Sequence, residues 1–519
     1  MLNTIWQYIL SSLGVGSSRP KLIRRLDDIV IPAFWLEQWP QFNDVYPTYV
    51  LQLDGKLDPK RLEDGFNALV EYRAEGWHKL GMRIETDDTK NGKLQYRIPA
   101  QFSPDRPAAI FHTISTYSHT PLSSHPSLIP TPSPTSSPSP KVQFHPHFPD
   151  KRYHPLFRPL SAEPSKTSIV NTDIPLFTFH IVPFQDSTLM GVSMLHVVDG
   201  RGLVEILKAW GRVLMGLQPG KMQGFEVDVL RGFVDSKIEE MKRKKEKGKE
   251  NSEGEGDLSH GRLGSGLGPS KNVRKHVYVS GDAVKKMVEK VRQEVENDGW
   301  VSENDVLTAW IMKVQARAYN ECYDGPINFV TTINLRPHLP SIFLSSSSYI
   351  HNVLSALFLP TLSQSQIISQ SLASLSLLHR NHMKQLLDTD RLTHQLVALE
   401  GYNGSNSTRV VPQQVYDVIE APWPFGKGRA PQLRFVTSWI KIGLDEVDFS
   451  GALVPSVDSE GKGGVTVKVV SMGIIGLRDG ATASIVQGKD SDGGYWISMM
   501  MREKAWVEVQ PLLEGMLDI

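Results

Sequence analysis

The sequence predicts an α/β protein built as two halves, each mixing sheet and helices. Three observations carry this. Short runs of alternating apolar and polar residues recur along the chain, the period of a half-buried strand. Between them lie stretches with apolar residues three and four apart, the period of an amphipathic helix. The 519-residue chain is also interrupted by two low-complexity tracts, the second of which divides it into parts of comparable size.

Composition sets the broad class. Hydrophobic residues make up 40% and charged residues 22%, and no apolar run is long enough to span a bilayer. The 56 basic and 56 acidic residues cancel, so nucleic-acid binding has no global electrostatic support. A single cysteine, Cys322, allows no intrachain disulfide and fits a reducing, cytoplasmic setting. It lies in a turn-like stretch, Glu321-Cys322-Tyr323-Asp324-Gly325-Pro326, where an inert thiol is the simpler reading. The amino-terminal segment, residues 1–25, has an apolar centre with its basic residues (Arg19, Lys21, Arg24, Arg25) behind it, the reverse of a secretory signal.

Residues 26–236 form the predicted amino-terminal domain. Residues 48–53 alternate as a strand behind Pro47, and Asp58 opens a helix with Leu62, Phe66, Leu69 and Val70 on its apolar face. Residues 76–84 return to a strand and 94–98 form another. Residues 119–140 are almost entirely Ser, Pro, Thr and His; such a segment buries too little apolar surface to offset chain entropy, and it reads as a disordered insertion. His145, His147 and His154 follow among prolines without acidic or cysteine partners at ligand spacing, so no metal site is expected. Residues 175–183 and the run from Leu189 form a hairpin across the Gln185-Asp186-Ser187 turn.

Residues 237–272 read as a flexible charged and Gly-rich linker. Lys242-Arg243-Lys244-Lys245 resembles an import patch, but interleaved acids favour a solvated linker. Gly264-Ser265-Gly266-Leu267-Gly268 lacks the flanking strand and helix of a phosphate loop. Residues 273–519 form the predicted carboxy-terminal domain. It begins with a strand at 276–279 and a charged helix at 282–295. Ser302 and Asp305 stand at capping-box spacing before a helix burying Leu307, Trp310, Ile311, Val314 and Ala318. A strand at 327–335 ends at Arg336-Pro337, and another spans 349–359. Residues 363–398 are mostly helical. Asn403 and Asn406 lie in glycosylation sequons, idle in a cytosolic protein. Strands at 435–439, 465–470 and 494–501 and a helix at 502–513 close the chain.

The stretch Leu189 to Gly200 organises the rest. It reads as a strand delivering His196, then a turn carrying Asp199-Gly200, then a helix from about Gly202 with Leu203, Ile206, Leu207, Trp210 and Leu214 on one face. Asp199 occupies the N-cap position, and Gly200 and Gly202 permit a sharp bend. A histidine fixed at a strand end is placed to act as a base; alone it could equally be a structural histidine beside a cap.

Further motifs follow in order: Ser302-Glu303-Asn304-Asp305 with its helix, Asn334-Leu335-Arg336, Thr437-Ser438-Trp439 and Asp448-Phe449-Ser450-Gly451. Together they resemble the BAHD-type acyl-CoA-dependent acyltransferases, nearest to fungal members of the trichothecene O-acetyltransferase kind, over roughly residues 25–515. The resemblance implies two chloramphenicol-acetyltransferase-like domains with an interdomain channel, in a monomeric cytoplasmic enzyme of specialised metabolism. It implies acyl-CoA as co-substrate, a small-molecule hydroxyl or amine acceptor, no permanently bound cofactor and no metal. On it His196 is the general base. Asp199, Gly200 and Arg336 support the turn, with Asp199 paired to Arg336, and Thr437 and Trp439 contact the developing oxyanion; simple core packing is the other reading of Trp439. CoA-binding residues are left unassigned.

The chain departs from the family pattern twice. The motif is His-x-x-x-Asp-Gly, and here His196-Val197-Val198-Asp199-Gly200 is one residue short, so that Leu195 stands at the base position if Asp199 is aligned. The Asp-Phe-Gly-Trp-Gly segment lacks its tryptophan, since Ala452 follows Ser450-Gly451. The shortened motif leaves open a catalytically degenerate member acting as a binding or scaffold protein. A condensation-type enzyme drawing its acyl group from a carrier protein ranks last, because that family prefers paired histidines.

Overall fold

The structure is a computed structural model. It describes residues 21–38, 46–90, 92–125, 141–145, 156–158, 169–246, 272–295, 299–319, 325–403, 432–455, 467, 469–475, 482–489 and 493–517. Cys322, His147, His154, residues 126–140 of the Pro/Ser-rich insertion and residues 247–271 of the linker lie outside them.

Up to residue 246 the chain forms β1 (Ile29–Pro32), β2 (Thr48–Leu53), α1 (Pro59–Val70), β3 (Arg83–Asp87), β4 (Lys93–Ile98), β5 (Ile110–Thr113) and β6 (Val142–His145). Then come β7 (Thr178–Pro183), β8 (Thr188–Ser193), α2 (Gly200–Leu214), β9 (Lys221–Met222) and α3 (Val229–Glu246). The remainder begins with β10 (Asn272–Val279), α4 (Gly281–Glu294), α5 (Glu303–Ala318), β11 (Pro326–Asn334), β12 (Ser347–Ser348), β13 (Leu354–Phe358) and β14 (Leu362–Ser363). It ends with α6 (Gln364–Ser369), α7 (Leu372–Leu386), α8 (Thr389–Asn403), β15 (Gln432–Ser438), β16 (Val469–Ile475), β17 (Thr482–Lys489), β18 (Tyr495–Arg502) and α9 (Glu503–Val509).

Two mixed sheets dominate the described residues. One has five strands in the order β16-β2-β8-β7-β5, the other eight, running β13-β11-β15-β17-β18-β10-β6 with β14 beside β11. A strand from each part of the chain joins the other part's sheet. β6 pairs with β10, and β16 pairs with β2.

Local chemistry explains the helix starts. Asp58 accepts from the backbone N–H of Lys60 and Arg61, with Pro59 at the first helical position. Ser302 and Asp305 close the expected capping box on α5. Leu307, Trp310, Ile311, Val314 and Ala318 are all buried, and so is nearly every other residue of α5. A helix buried on all sides belongs at the centre of a core, and α5 lies in the one built from β10, β11, β18 and α9. A separate core holds α1 and α2 against the five-stranded sheet.

The structure differs from the sequence expectations in several places. Residues 237–246, assigned to the linker on charge, continue α3; their opposite charges fall at helical spacing, with Lys237–Glu240 at 2.9 Å and Lys244–Glu240 at 3.0 Å. The 349–359 strand shrinks to β13, because residues 349–353 are drawn off to bond Arg336 and Asp199. The 119–140 insertion is not uniformly structureless: Leu122, in a single 3₁₀ turn, is buried against Phe184 and Val182. β5, β6 and β17 have no counterpart in the sequence reading.

Candidate active site

β8 stops at Ser193, three residues before His196. The expected strand therefore does not carry the histidine; His196 stands in the turn that follows, so strand alternation does not fix its direction. β8 ends where Ser193 bonds the Thr48 hydroxyl of β2 at 2.8 Å. Gly191 is required within it, since a Cβ there would come within 1.8 Å of the Phe157 carbonyl oxygen.

Asp199 is fully buried and serves three partners. Its Oδ1 caps α2 by accepting from the Gly202 N–H at 2.7 Å. Its Oδ2 accepts from Arg336 Nη1 and from the Val353 N–H, each at 3.0 Å. The Arg336 guanidinium also donates to the carbonyls of Tyr349 (3.0 Å) and His351 (2.7 Å) and to Asn334 Oδ1 (2.9 Å). The buried carboxylate is thus both paired and hydrogen-bonded, the condition under which a buried charge is tolerated. Gly200, the first residue of α2, has open space where a Cβ would stand, whereas at Gly202 a Cβ would lie 1.9 Å from the Ile350 carbonyl oxygen. The residue that sterics demand is therefore the second glycine.

The turn is clasped from behind by residues 350–353. Val198 and His351 form an isolated antiparallel bridge, and Asn352 Nδ2 donates to the His196 carbonyl. Burial lowers the His196 imidazole below its ordinary value, while the Asp199 and Glu37 carboxylates pull it upward. The net direction is downward, which keeps the ring neutral near pH 7 and able to accept a proton.

Sequence reasoning missed the charged cluster beneath this turn. His351 Nδ1 lies 2.6 Å from Glu37 Oε1, and both side chains are fully buried. Glu37 Oε2 accepts from the Tyr96 hydroxyl and from the Phe34 N–H at 2.8 Å. Burial pushes His351 down to about 4, so the pair is an ionised carboxylate receiving the Nδ1–H of a neutral imidazole. Lys79, buried close by with its Nζ 4.0 Å from the Phe34 ring centre, donates to the carbonyls of Gly224 and Phe225 and is brought down to about 7 by burial. The only sequence signal was charged residues inside apolar surroundings, as in Phe34-Trp35-Leu36-Glu37.

Thr437 lies near the carboxyl end of β15, beside Thr332 on one neighbour and Ile485 on the other. Trp439 follows; its N–H bonds the Val486 carbonyl at 2.8 Å and its ring stands 6.1 Å from that of Tyr49, the β2 residue opposite Val192. The eight-stranded sheet thus delivers Trp439 to the strand alongside β8. The Asp448–Gly451 segment docks on α2, where the Phe449 ring meets Trp210 edge-on at 5.2 Å and a Cβ at Gly211 would come within 2.1 Å of the Asp448 carbonyl oxygen. Among the described residues no group of His, Cys, Asp or Glu could hold a metal ion, and no helix is long and apolar enough to cross a membrane.

With this geometry in view, comparison with known proteins is decisive. The model of the Transferase family matches residues 160–452, more than half of the chain. The chain belongs to this BAHD-type transferase family. As a BAHD-type transferase it is an acyl-CoA-dependent acyltransferase by class. It is 26% identical to the acetyltransferase BOT5 of Botryotinia fuckeliana, covering 94% of this chain and 91% of that protein. It is 24% identical to the transcriptional regulator calD of Penicillium decumbens, covering 93% and 94%. In fold it is similar to TRI101 of F. graminearum in complex with coenzyme A and T-2 mycotoxin, with a TM-score of 0.62, 13% identity, and 93% and 97% of the two chains covered.

Proposed function

We propose that this transferase moves an acyl group from acyl-CoA to a hydroxyl or amine of a small specialised metabolite, with His196 as general base. The neutral imidazole takes the proton from the acceptor, whose lone pair attacks the thioester carbonyl. The tetrahedral intermediate collapses, breaking the C–S bond, and the CoA thiolate takes the proton back from the imidazolium. No covalent enzyme intermediate is needed, and holding both reactants together supplies the proximity term. Thr437 and Trp439 are the proposed contacts for the oxyanion. Asp199 and Arg336 hold the turn and take no part in proton transfer, and Gly200, with open space where a Cβ would stand, opens α2.

The observation that carries this reading is the setting of His196: a half-buried imidazole, kept neutral, in a turn whose aspartate is pinned by Arg336. A panel of short acyl-CoA donors with alcohol and amine acceptors, read by release of free CoA thiol, tests it. Turnover that needs both substrates supports transfer. No turnover together with saturable ligand binding would support the second reading, a family member that binds without catalysis. Leu195 at the aligned base position and the regulator name of the Penicillium decumbens relative favour that second reading.

A further inference from the structure

The eight-stranded sheet has two faces, and its register sorts the side chains between them. Paired residues on neighbouring strands point to the same side. Val436 lies beside Thr331 of β11 and Ser484 of β17. Val436 belongs to the core around α5, and the Ser484 hydroxyl accepts from Gln315 of that helix at 2.9 Å. The next row along the strands points the other way. It runs Ala356, Thr332, Thr437, Ile485 across β13, β11, β15 and β17. Ile485 is buried in the other core, which contains Val197 and Val198 of the His196 turn, and Trp439 packs against that core as well. The row is therefore turned toward the half of the chain that carries His196.

Exposure falls along the row. Ala356 is exposed, Thr332 and Thr437 are half-buried, and Ile485 is 5% exposed. The two threonines thus stand where a surface open to solvent closes onto the core. Neither hydroxyl has a hydrogen-bond partner among the described residues. Threonine suits a strand by shape alone, and on an outer surface that would explain both. Here the two stand side by side in an inward-turned row, with donors to spare. Neighbouring strands lie ~4.8 Å apart. Two hydroxyls that each reach one oxygen at about 2.7–2.8 Å can stand up to about 5.5 Å from each other. The strand spacing therefore fits two donors converging on a single acceptor atom.

We propose that Thr332 is a further catalytic residue, whose hydroxyl joins that of Thr437 on the oxygen of the reacting carbonyl. The proposal rests on the acyl-transfer reading, in which Thr437 contacts that oxygen. As the acceptor lone pair bonds to the carbonyl carbon, the π pair moves onto the oxygen, and both hydroxyls donate to the oxyanion. When that pair returns, the C–S bond breaks and the thiolate takes its proton from the His196 imidazolium. The threonines keep their own protons throughout; their hydrogen bonds tighten as charge develops. No motif marks Thr332, which lies two residues before Asn334-Leu335-Arg336, and only strand pairing brings it to Thr437.

The test compares Thr332→Val, which removes the hydroxyl and keeps the branched shape, with Thr332→Ser, which keeps the hydroxyl. The assay is thiol release from acetyl-CoA across the alcohol and amine panel. Thr332→Val should lower kcat about tenfold or more, with KM for acetyl-CoA within about twofold and Tm unchanged, because the bond is made in the transition state. Thr332→Ser should return kcat close to wild type. In Thr332→Val/Thr437→Val the loss should differ from the product of the two single losses, the mark of groups that serve one atom. Single losses that simply multiply overturn the shared oxygen. A wild-type kcat in Thr332→Val, or a change confined to KM or Tm, overturns the proposal and leaves acyl transfer standing. A wild type that turns over no donor–acceptor pair overturns the acyl-transfer reading, and the role of Thr332 with it.

Discussion

Asn352 Nδ2 donates to the backbone carbonyl of His196 at 2.7 Å, tying the His196–Gly200 turn to a segment more than 150 residues away in sequence. The neighbours of Asn352 add to the clasp. Val353 N–H reaches Asp199, Ile350 abuts Gly202, and His351 bridges Val198. A motif with one residue fewer than its family pattern is therefore shaped by outside bonds as well as by its own sequence.

His196→Ala should lower kcat/KM for thiol release by about 10²–10⁴-fold, the usual span for a general base, with Tm close to wild type. Activity within threefold of wild type would remove His196 from the mechanism.

Arg336→Ala should destabilise the fold by about 3–5 kcal/mol, because it leaves the buried Asp199 carboxylate unpaired. Arg336→Lys should not rescue it: one ammonium cannot serve Asp199, Tyr349, His351 and Asn334 in the geometry of a planar fork. Denaturant melts of both variants decide this, and a fully stable lysine variant contradicts it.

Gly202→Ala and Gly200→Ala should separate cleanly. The first forces a methyl against the Ile350 carbonyl and should cost about 1–3 kcal/mol with reduced turnover. The second places a methyl in open space at a helix start and should be neutral within about 0.5 kcal/mol. Equal losses in the two variants would mean that Gly200 has a role that steric contact does not account for.

Glu37→Gln removes a carboxylate that favours the His196 imidazolium. The His196 pKa should fall further, so the acidic limb of the kcat/KM profile should move to lower pH than in wild type. A limb that stays in place, or moves up, shows that Glu37 does not act on the base.

Stability should fall as the solution is acidified. Burial lowers His78, His112, His196, His338, His351 and His382 below 6.5. Between that value and the folded pKa the unfolded chain binds more protons, so stability rises with pH through the window and is lost on the way down. For His351 the window runs from 6.5 to about 4. Thermal melts from pH 7 to 4 should show a steady drop in Tm, shallower in His351→Gln. A flat Tm down to pH 5 is the contrary result.

Much of this was legible in the sequence because it is local. The caps at Asp58, Asp199 and Ser302 depend on residues three positions apart, and all three form as read. The Asp199–Arg336 pair was reached only through family resemblance, since nothing in spacing joins residues 137 apart. The Glu37–His351 pair was invisible for the same reason, lying across 314 residues without a motif to mark it. β6 was hidden because its four residues sit between tracts whose composition argues against order, and its partner strand arrives much later in the chain.

The exchange of β6 and β16 has a consequence for how the chain can be cut. Each sheet borrows a strand encoded on the far side of residues 247–271, so scission in that stretch would release no self-sufficient piece. It would instead leave two polypeptides, each completing the other's sheet, as in a handshake. Such halves expressed separately would each expose an unpaired strand edge, open to association with other chains; expressed together, they carry the information to rebuild one molecule from two.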